Sequence, residues 1–569
     1  SNDQSLEAFI NMPLGANTAV RISAYDLQDG GWIDNELTSK TFTNSGFTID
    51  NSAHAKDDYN ELNKSGYRIR LASEIMGQNL DLSLLDQTSE FGGSWETDEA
   101  VGPRSNSRFN EEYFDDDFSQ ISLSLSGDLN DSVEYIFTAS SFERDVEYTY
   151  DYSEYVEYYN YDGPSYTCDY YDYYYYYNIS GCQDPRMSYT QIDNHERDSY
   201  EVRIQSKGDS GFQWILGAFK ESSTRDYEIA YLWPGSNPGN LSWNVPNGQW
   251  WNLDNTREED VEAFFGEGSL SLNDKTKLTL GFRSYDQDTM VDAKDGYFGV
   301  FDGVEKVFNS NDSGVVPKVN IAHNINDDVM VYGTYSEGFR ASGINRVRPA
   351  QTAFIPETYD SDYLESLEFG FKSTLADGKL ILNGAYFMMD WSDFQSTTYN
   401  LAYSTVAFVD NVGNAEINGL ELDATYKPND TLTLSGYVVS NDPSLSEDYY
   451  DVSGVLQANS GNRLAYVPEL SYVLGLDKVL SIFGMPGYVS VDYSYTGDRY
   501  TSQANDLKLP SYAIANMRVG VESGNRSMEV FISNLTDENG YQSRYDDFGD
   551  IRRTQNRPKV IGLRFKYRY

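Results

Sequence analysis

The chain has 569 residues, with 89 Asp and Glu against 42 Lys and Arg, for a formal net charge of −47 at pH 7. That balance argues against a nucleic-acid partner, whose phosphates would be repelled, and no stretch approaches the roughly 18 apolar residues of a membrane helix. Spanning by strands stays open, because barrel strands alternate lipid-facing and lumen-facing residues and a mean hydropathy of −0.58 averages that signal away. The 48 Tyr and 45 Gly against 16 Pro favour strands and turns, since flat rings cover a pleated surface well.

One rhythm runs the length of the chain: strand, tight turn, strand, long polar loop. The tight turns read LGANTA (14–19), GQN (77–79), GDLND (127–131), GDSG (208–211) and NDKT (273–276). They continue as NINDD (324–328), ADGK (376–379), PND (428–430), FGMPG (483–487) and ESGNR (522–526). Gly, Asn and Asp supply the positive φ that such turns need. The flanks alternate with period two: in GLELDATYKP, Leu420, Leu422, Ala424 and Tyr426 share one face, and Glu421, Asp423 and Lys427 the other.

The connections at 30–63, 149–186, 234–250 and 441–461 are long and rich in Asp, Asn, Ser, Gly and Tyr. Short turns on one rim and long loops on the other predict an all-β, transmembrane antiparallel barrel, with long external loops and short periplasmic turns. The first long loops carry the residues of interest. Cys168 and Cys182, the two cysteines present, enclose a tyrosine run and are expected to form a disulfide, which implies an oxidising compartment. A two-Cys metal site is the rival, without nearby histidines to complete it. Tyr173, Tyr174 and Tyr175 lie between the cysteines, and Trp233, Trp243, Trp250 and Trp251 follow in the next loop. These rings are candidate ligand contacts, because aromatic faces stack on sugars, catechols and flat cofactors; membrane-interface anchoring and loop packing are the other readings for Trp250 and Trp251. Arg340 and Arg346 are the candidate charges. His195 is the best-placed candidate base, but His54, His195 and His323 lie far apart and no nucleophile elbow or zinc-protease pair accompanies them. A structural role for His195 and a non-enzymatic protein are expected, with no metal and no cofactor.

The closing strand VIGLRFKYRY sets Ile561, Leu563, Phe565, Tyr567 and Tyr569 on one face and Arg564, Lys566 and Arg568 on the other. Ten hairpins and this strand make 21, whereas bacterial single-chain barrels have even numbers. The expectation is a 22-stranded type with 21 strands visible and an open seam, the first strand and whatever precedes it being absent from residues 1–569.

Five segments in chain order resemble the barrel of TonB-dependent outer-membrane receptors: RISAYDLQDGGWIDN (21–35), VYGTYSEGFRASGIN (331–345), YLESLEFGFKSTLADGKLILNGAYFMMDWSDFQ (363–395), NVGNAEINGLELDATYKP (411–428) and VFISNLTDENGY (530–541) with the aromatic end. The resemblance covers nearly the whole chain but includes neither the amino-terminal plug nor the TonB box of that family. It implies a receptor in the outer membrane of a Gram-negative cell, in contact with its lipid and lipopolysaccharide. Its implied function is active uptake of a scarce bulky nutrient, first of all a ferric siderophore, powered through the TonB–ExbB–ExbD complex. The alternatives are uptake of an oligosaccharide or vitamin, and a passive pore or structural surface barrel without a plug.

Overall fold

The computed structural model describes residues 2–42, 46–158, 184–208, 210–233, 248–297, 306–345, 355–398, 407–451, 454–547 and 550–569. Twenty-one long strands form one antiparallel sheet. In chain order they are β1 (Gln4–Pro13), β2 (Thr18–Asp29), β3 (Leu62–Ile75), β4 (Gln78–Phe91), β5 (Tyr113–Asn130), β6 (Val133–Asp151) and β7 (Ser188–Ser206). Next come β8 (Phe212–Leu232), β9 (Gln249–Asn273), β10 (Thr276–Tyr297), β11 (Lys306–Asn326), β12 (Val329–Arg340), β13 (Asp362–Leu375) and β14 (Leu380–Ser392). The last are β15 (Ala415–Asn429), β16 (Leu432–Leu445), β17 (Leu470–Ile482), β18 (Met485–Thr496), β19 (Tyr512–Ser523), β20 (Arg526–Ser533) and β21 (Val560–Tyr567). Each pairs with its sequence neighbours, so the sheet is a continuous meander, and all ten expected tight turns join strands on one rim.

Four of those turns share one device. Asn130, Asn273, Asn326 and Asn429 end their strands, and each side-chain oxygen accepts the backbone N–H two residues on, from Ser132, Lys275, Asp328 and Thr431. The side chain substitutes for a backbone acceptor and closes the turn.

Outward positions form an apolar belt at the short-turn end. Neighbouring strands contribute Leu216, Phe264, Leu280, Val319, Phe369, Leu420, Leu474, Val530 and Leu563, all exposed; Leu280 is 53% and Phe369 53% accessible. Large apolar side chains so exposed in a continuous band suit lipid, not water. Leu420 and Tyr426 are among them, as their shared face predicts. Inward positions alternate with the belt and carry charge, as in the ion pairs of Arg70 with Asp81, Lys318 with Glu267 (2.9 Å) and Arg564 with Glu529 (2.8 Å).

The wall is uneven. Strands β5 to β11 run for 18 to 25 residues, whereas β20 and β21 have 8 each. The long strands therefore rise far above the belt on one side of the molecule.

Among the described residues β1 and β21 each pair on one edge alone, β1 with β2 and β21 with β20. This is the expected open seam. Both strands run toward the short-turn rim, so direct pairing between them would be parallel in an otherwise antiparallel sheet. At the mouth the seam is bridged by loops. Arg557 pairs with Asp3 (2.8 Å) and Asp29 (2.6 Å), and residues 96–98 pair with β-segment 550–555, itself paired with 541–547.

Candidate ligand site at the long-loop mouth

Register places aromatic rings side by side on the lumenal face of the tall wall. Phe91 of β4 lies opposite Phe114 of β5, and Phe114 opposite Tyr148 of β6. Two residues higher, Tyr150, Tyr189, Tyr231 and Trp251 are successive cross-strand partners over β6 to β9. The rings touch: Phe91–Phe114 centroids are 5.4 Å apart, Phe114–Tyr148 5.6 Å and stacked, Tyr148–Tyr189 5.9 Å and stacked, and Tyr231–Trp251 5.0 Å edge-on. Such cross-strand aromatic pairs stabilise a sheet and present ring faces in a row. The row has two ends of different character. Tyr231 and Trp251 are buried, 3% and 1% exposed, in a core with Phe42, Ile49, Phe109, Tyr155, Met187 and Trp233 contributed by the loops. Phe91, Phe114, Tyr148 and Tyr189 remain partly accessible.

A polar tier lies directly beneath. The Tyr148 and Tyr189 hydroxyls both donate to Gln191 Oε1, at 2.6 and 2.7 Å, and Gln191 donates to Asp193. Arg225 Nε donates to Asp193 at 2.8 Å, and Arg144 makes a two-pronged pair with Asp116 at 2.7 and 2.9 Å. Arg257 pairs with Glu259 at 2.6 Å. Arg197 sits instead over the Phe142 ring at 5.3 Å, and lower down Arg283 faces Phe219 at 5.5 Å; neither makes an ion pair among the described residues. Burial first, and then Glu96 and Glu112, push Tyr150 up to about 12, so its phenol stays neutral at physiological pH. The site therefore combines ring faces above with guanidinium groups below, one suited to flat aryl surfaces and the other to anionic oxygens.

The sequence-predicted residues fall into three groups. Trp233, Trp250 and Trp251 are brought together: Trp250 stacks parallel to Tyr231 at 6.2 Å and meets Trp233 edge-on at 6.3 Å. They stand at the far end of strands whose outward apolar belt begins near Phe264, more than ten residues away, so the membrane-interface reading does not describe them; loop packing does. Arg340 belongs to another sector. It pairs with buried Asp362 (Nε at 2.9 Å), donates to the Gln395 carbonyl at 2.7 Å and stacks over Trp391 at 4.9 Å, a loop clamp with its charge already matched. Tyr173, Tyr174, Tyr175, Trp243, Arg346, Cys168 and Cys182 lie outside the described residues. Of the predicted loops, the described ends of 149–186 and 234–250 meet over the ring row, through Tyr155 against Trp250 at 6.0 Å. Asn345, after β12, packs instead on the segment 408–411, through hydrogen bonds with Val409.

Sequence reasoning missed Phe91, Phe114, Tyr148, Tyr189, Tyr231 and the Arg144–Arg225 tier. The run VEYTYDYSEYVEYYNYD held the signal for Tyr148 and Tyr150, but the row exists through pairing across six strands.

His195 lies on the same wall, edge-on to Phe142 at 6.0 Å. Burial lowers its pKa, and the neighbouring Arg197 and Arg225 lower it further.

Comparison with known proteins gives a consistent picture. The family model described as TonB dependent receptor-like, beta-barrel matches residues 57–535. The pesticin receptor of Yersinia pestis is 24% identical over 243 residues, 42% of this chain and 33% of that protein. The pesticin receptor of Yersinia enterocolitica is 21% identical over 358 residues, 62% of this chain and 48% of that one. The chain thus spans between a third and a half of the curated relatives it matches. Among solved structures, the ferric yersiniabactin uptake receptor FyuA from Yersinia pestis superposes with a TM-score of 0.78 at 14% identity, covering 100% of this chain and 78% of that one. The siderophore receptor PiuA from Acinetobacter baumannii gives 0.74 at 14% identity, with 100% and 80% covered. At such identities the likeness carries the fold.

Proposed function

We propose, from the premise that the chain belongs to the TonB-dependent receptor β-barrel family of Gram-negative outer membranes, that it is the barrel of an active importer of a ferric siderophore. The observation that carries this reading is the ring row over the guanidinium tier. Aryl groups of an iron chelate stack on Phe114, Tyr148 and Tyr189, while its anionic oxygens meet Arg197, which no carboxylate pairs among the described residues, beside the carboxylate-paired Arg144 and Arg225. The solved neighbours support the cargo class, since one is described as a siderophore receptor and the other as a ferric yersiniabactin uptake receptor. The same ring faces stack on sugars, so an oligosaccharide is the competing cargo; the arginines favour the chelate. The family is one of transport receptors, and the reading extends to a protein without enzymatic activity.

The wider reading assigns a plug to the lumen, with energy supplied by the TonB–ExbB–ExbD complex. It also assigns one further strand, running from the short-turn rim to the mouth, to the seam. Such a strand would pair antiparallel with β1 and β21 at once and make 22.

The test is iron uptake in an iron-starved strain lacking this receptor, with the intact gene restored on a plasmid. Uptake of radiolabelled iron from a ferric siderophore panel is expected to depend on both the receptor and the proton gradient. Uptake unaffected by loss of the receptor, or unaffected by an uncoupler, overturns the reading. Intact mass of the purified receptor checks the plug.

A further inference from the structure

The short turns do not treat their tips alike. Of the turns with two central residues, Ile75–Gln78 and Ile482–Met485 have positive φ values at both. They are 54° and 78° for Met76 and Gly77, and 53° and 79° for Phe483 and Gly484. This is type I′ geometry, in which Asn or Asp suits the first central position and a long apolar side chain is strained. Met76 is nonetheless 97% exposed and Phe483 95%. Neither side chain recovers the strain by packing on the protein.

What surrounds the tips indicates what covers them. Met76 directly follows the outward apolar column of β3, whose Ile69 and Ile75 are exposed, and Phe483 follows that of β17, with Leu474 and Leu480 exposed. The belt reaches the ends of other strands as well: Leu129, Leu272 and Ile325 are exposed one residue before the turn-closing Asn. The edge of the apolar layer therefore coincides with the turns, and these two tips continue an established lipid surface.

We infer that Met76 and Phe483 are membrane anchors, seated among the glycerophospholipids of the periplasmic leaflet on either flank of the seam. Transfer of each side chain from water into lipid offsets the turn strain. The polar tips of the Asn-closed turns, such as Asp274, lack this contact and stay in water.

The experiment places p-benzoylphenylalanine at position 483 or 76 of the full-length receptor in native outer membranes, with position 474 as the belt reference and position 274 as the water reference. Irradiation is expected to give adducts of phospholipid mass at 483, 76 and 474 and none at 274. A protein adduct at 483 and 76, or no adduct there while 474 yields one, overturns the inference. A second measurement uses Phe483→Asn in receptor refolded into phospholipid vesicles. Lost lipid contact lowers the urea midpoint relative to the parent. A raised midpoint, as relief of the type I′ turn in water would produce, overturns it.

Discussion

Arg108 is 1% exposed, and its guanidinium meets Asp98 at 2.9 Å, Glu112 at 3.3 Å and Glu96 at 3.9 Å, with Arg552 sharing Glu96 at 3.5 Å. The carboxylates come from the loop after β4 and the start of β5, and Arg552 from the loop before β21, so the knot fastens loops and not the barrel. Removing one partner of a buried ion pair leaves uncompensated charge, typically costing about 3–5 kcal/mol. Arg108→Ala is accordingly expected to expose residues 92–112 to limited proteolysis while the barrel stays protease-resistant. Arg108→Lys should rescue poorly, because a compact ammonium cannot reach three carboxylates as a planar fork does. A second prediction concerns His195. Its folded pKa is below the ordinary 6.5, so the unfolded chain takes up the proton first. The stability held by neutral His195 is complete above about pH 6.5 and falls as the pH drops toward the folded value. The groups facing it are Arg197, Arg225, Asp193 and Glu259. His195→Gln should flatten the dependence of the unfolding midpoint between pH 7.5 and 5; an unchanged slope would show the effect lies elsewhere.

At the scale of elements, the two ends of the aromatic row predict opposite phenotypes. Trp251 is buried under the loops, so Trp251→Ala should cost about 3–5 kcal/mol of local packing and loosen the loops. Phe114 is partly accessible and outside the core around Trp251, and Phe114→Ala should leave the loops protease-resistant while weakening ferric siderophore binding roughly tenfold, as a lost ring contact worth about 1–1.5 kcal/mol implies. Binding by titration and proteolysis of the same two variants separate these outcomes. The turns follow a simpler rule: Asn273→Ala removes the acceptor for Lys275 and should lower stability by about 1 kcal/mol in urea titration. These turns were legible beforehand, because Asn-Asp at a strand end acts within three residues. The ring row was not. Phe114 and Tyr189 are 75 residues apart in sequence, and only the register of the intervening strands aligns them. Arg340 illustrates the converse: its sequence neighbourhood resembles a family motif, but its pairing with Asp362, 22 residues on, comes from the strand register.

For the whole molecule, parity was readable from the turn count alone, since ten hairpins and one closing strand leave one edge too many. The lipid belt was readable wherever alternation was clean, as in β15 and β21. The height of the β5–β11 wall was not, because strand length above the membrane depends on loops that pack against it. The expected disulfide between Cys168 and Cys182 lies outside the described residues. Thiol titration of the denatured, unreduced receptor should find no free thiol, and two per chain would refute the pairing.

The clasp over the seam has a consequence in time as well as space. Arg557 and Asp3 are separated by 554 positions, and residues 96–98 and 550–555 by more than 450. Contacts between neighbouring strands form across short stretches of chain, whereas contacts this distant in sequence carry the largest loop-closure entropy and form last. The sheet should therefore grow hairpin by hairpin as an open ribbon whose two margins meet only at the end. Once made, the clasp sets the spacing of those margins at the mouth. Closure of such a ribbon proceeds like a zip drawn from the mouth toward the periplasm. Charge reversal at Arg557 should then slow the final step of assembly while leaving the earlier hairpins to form at their normal rate, a lag that pulse-chase protease protection would register.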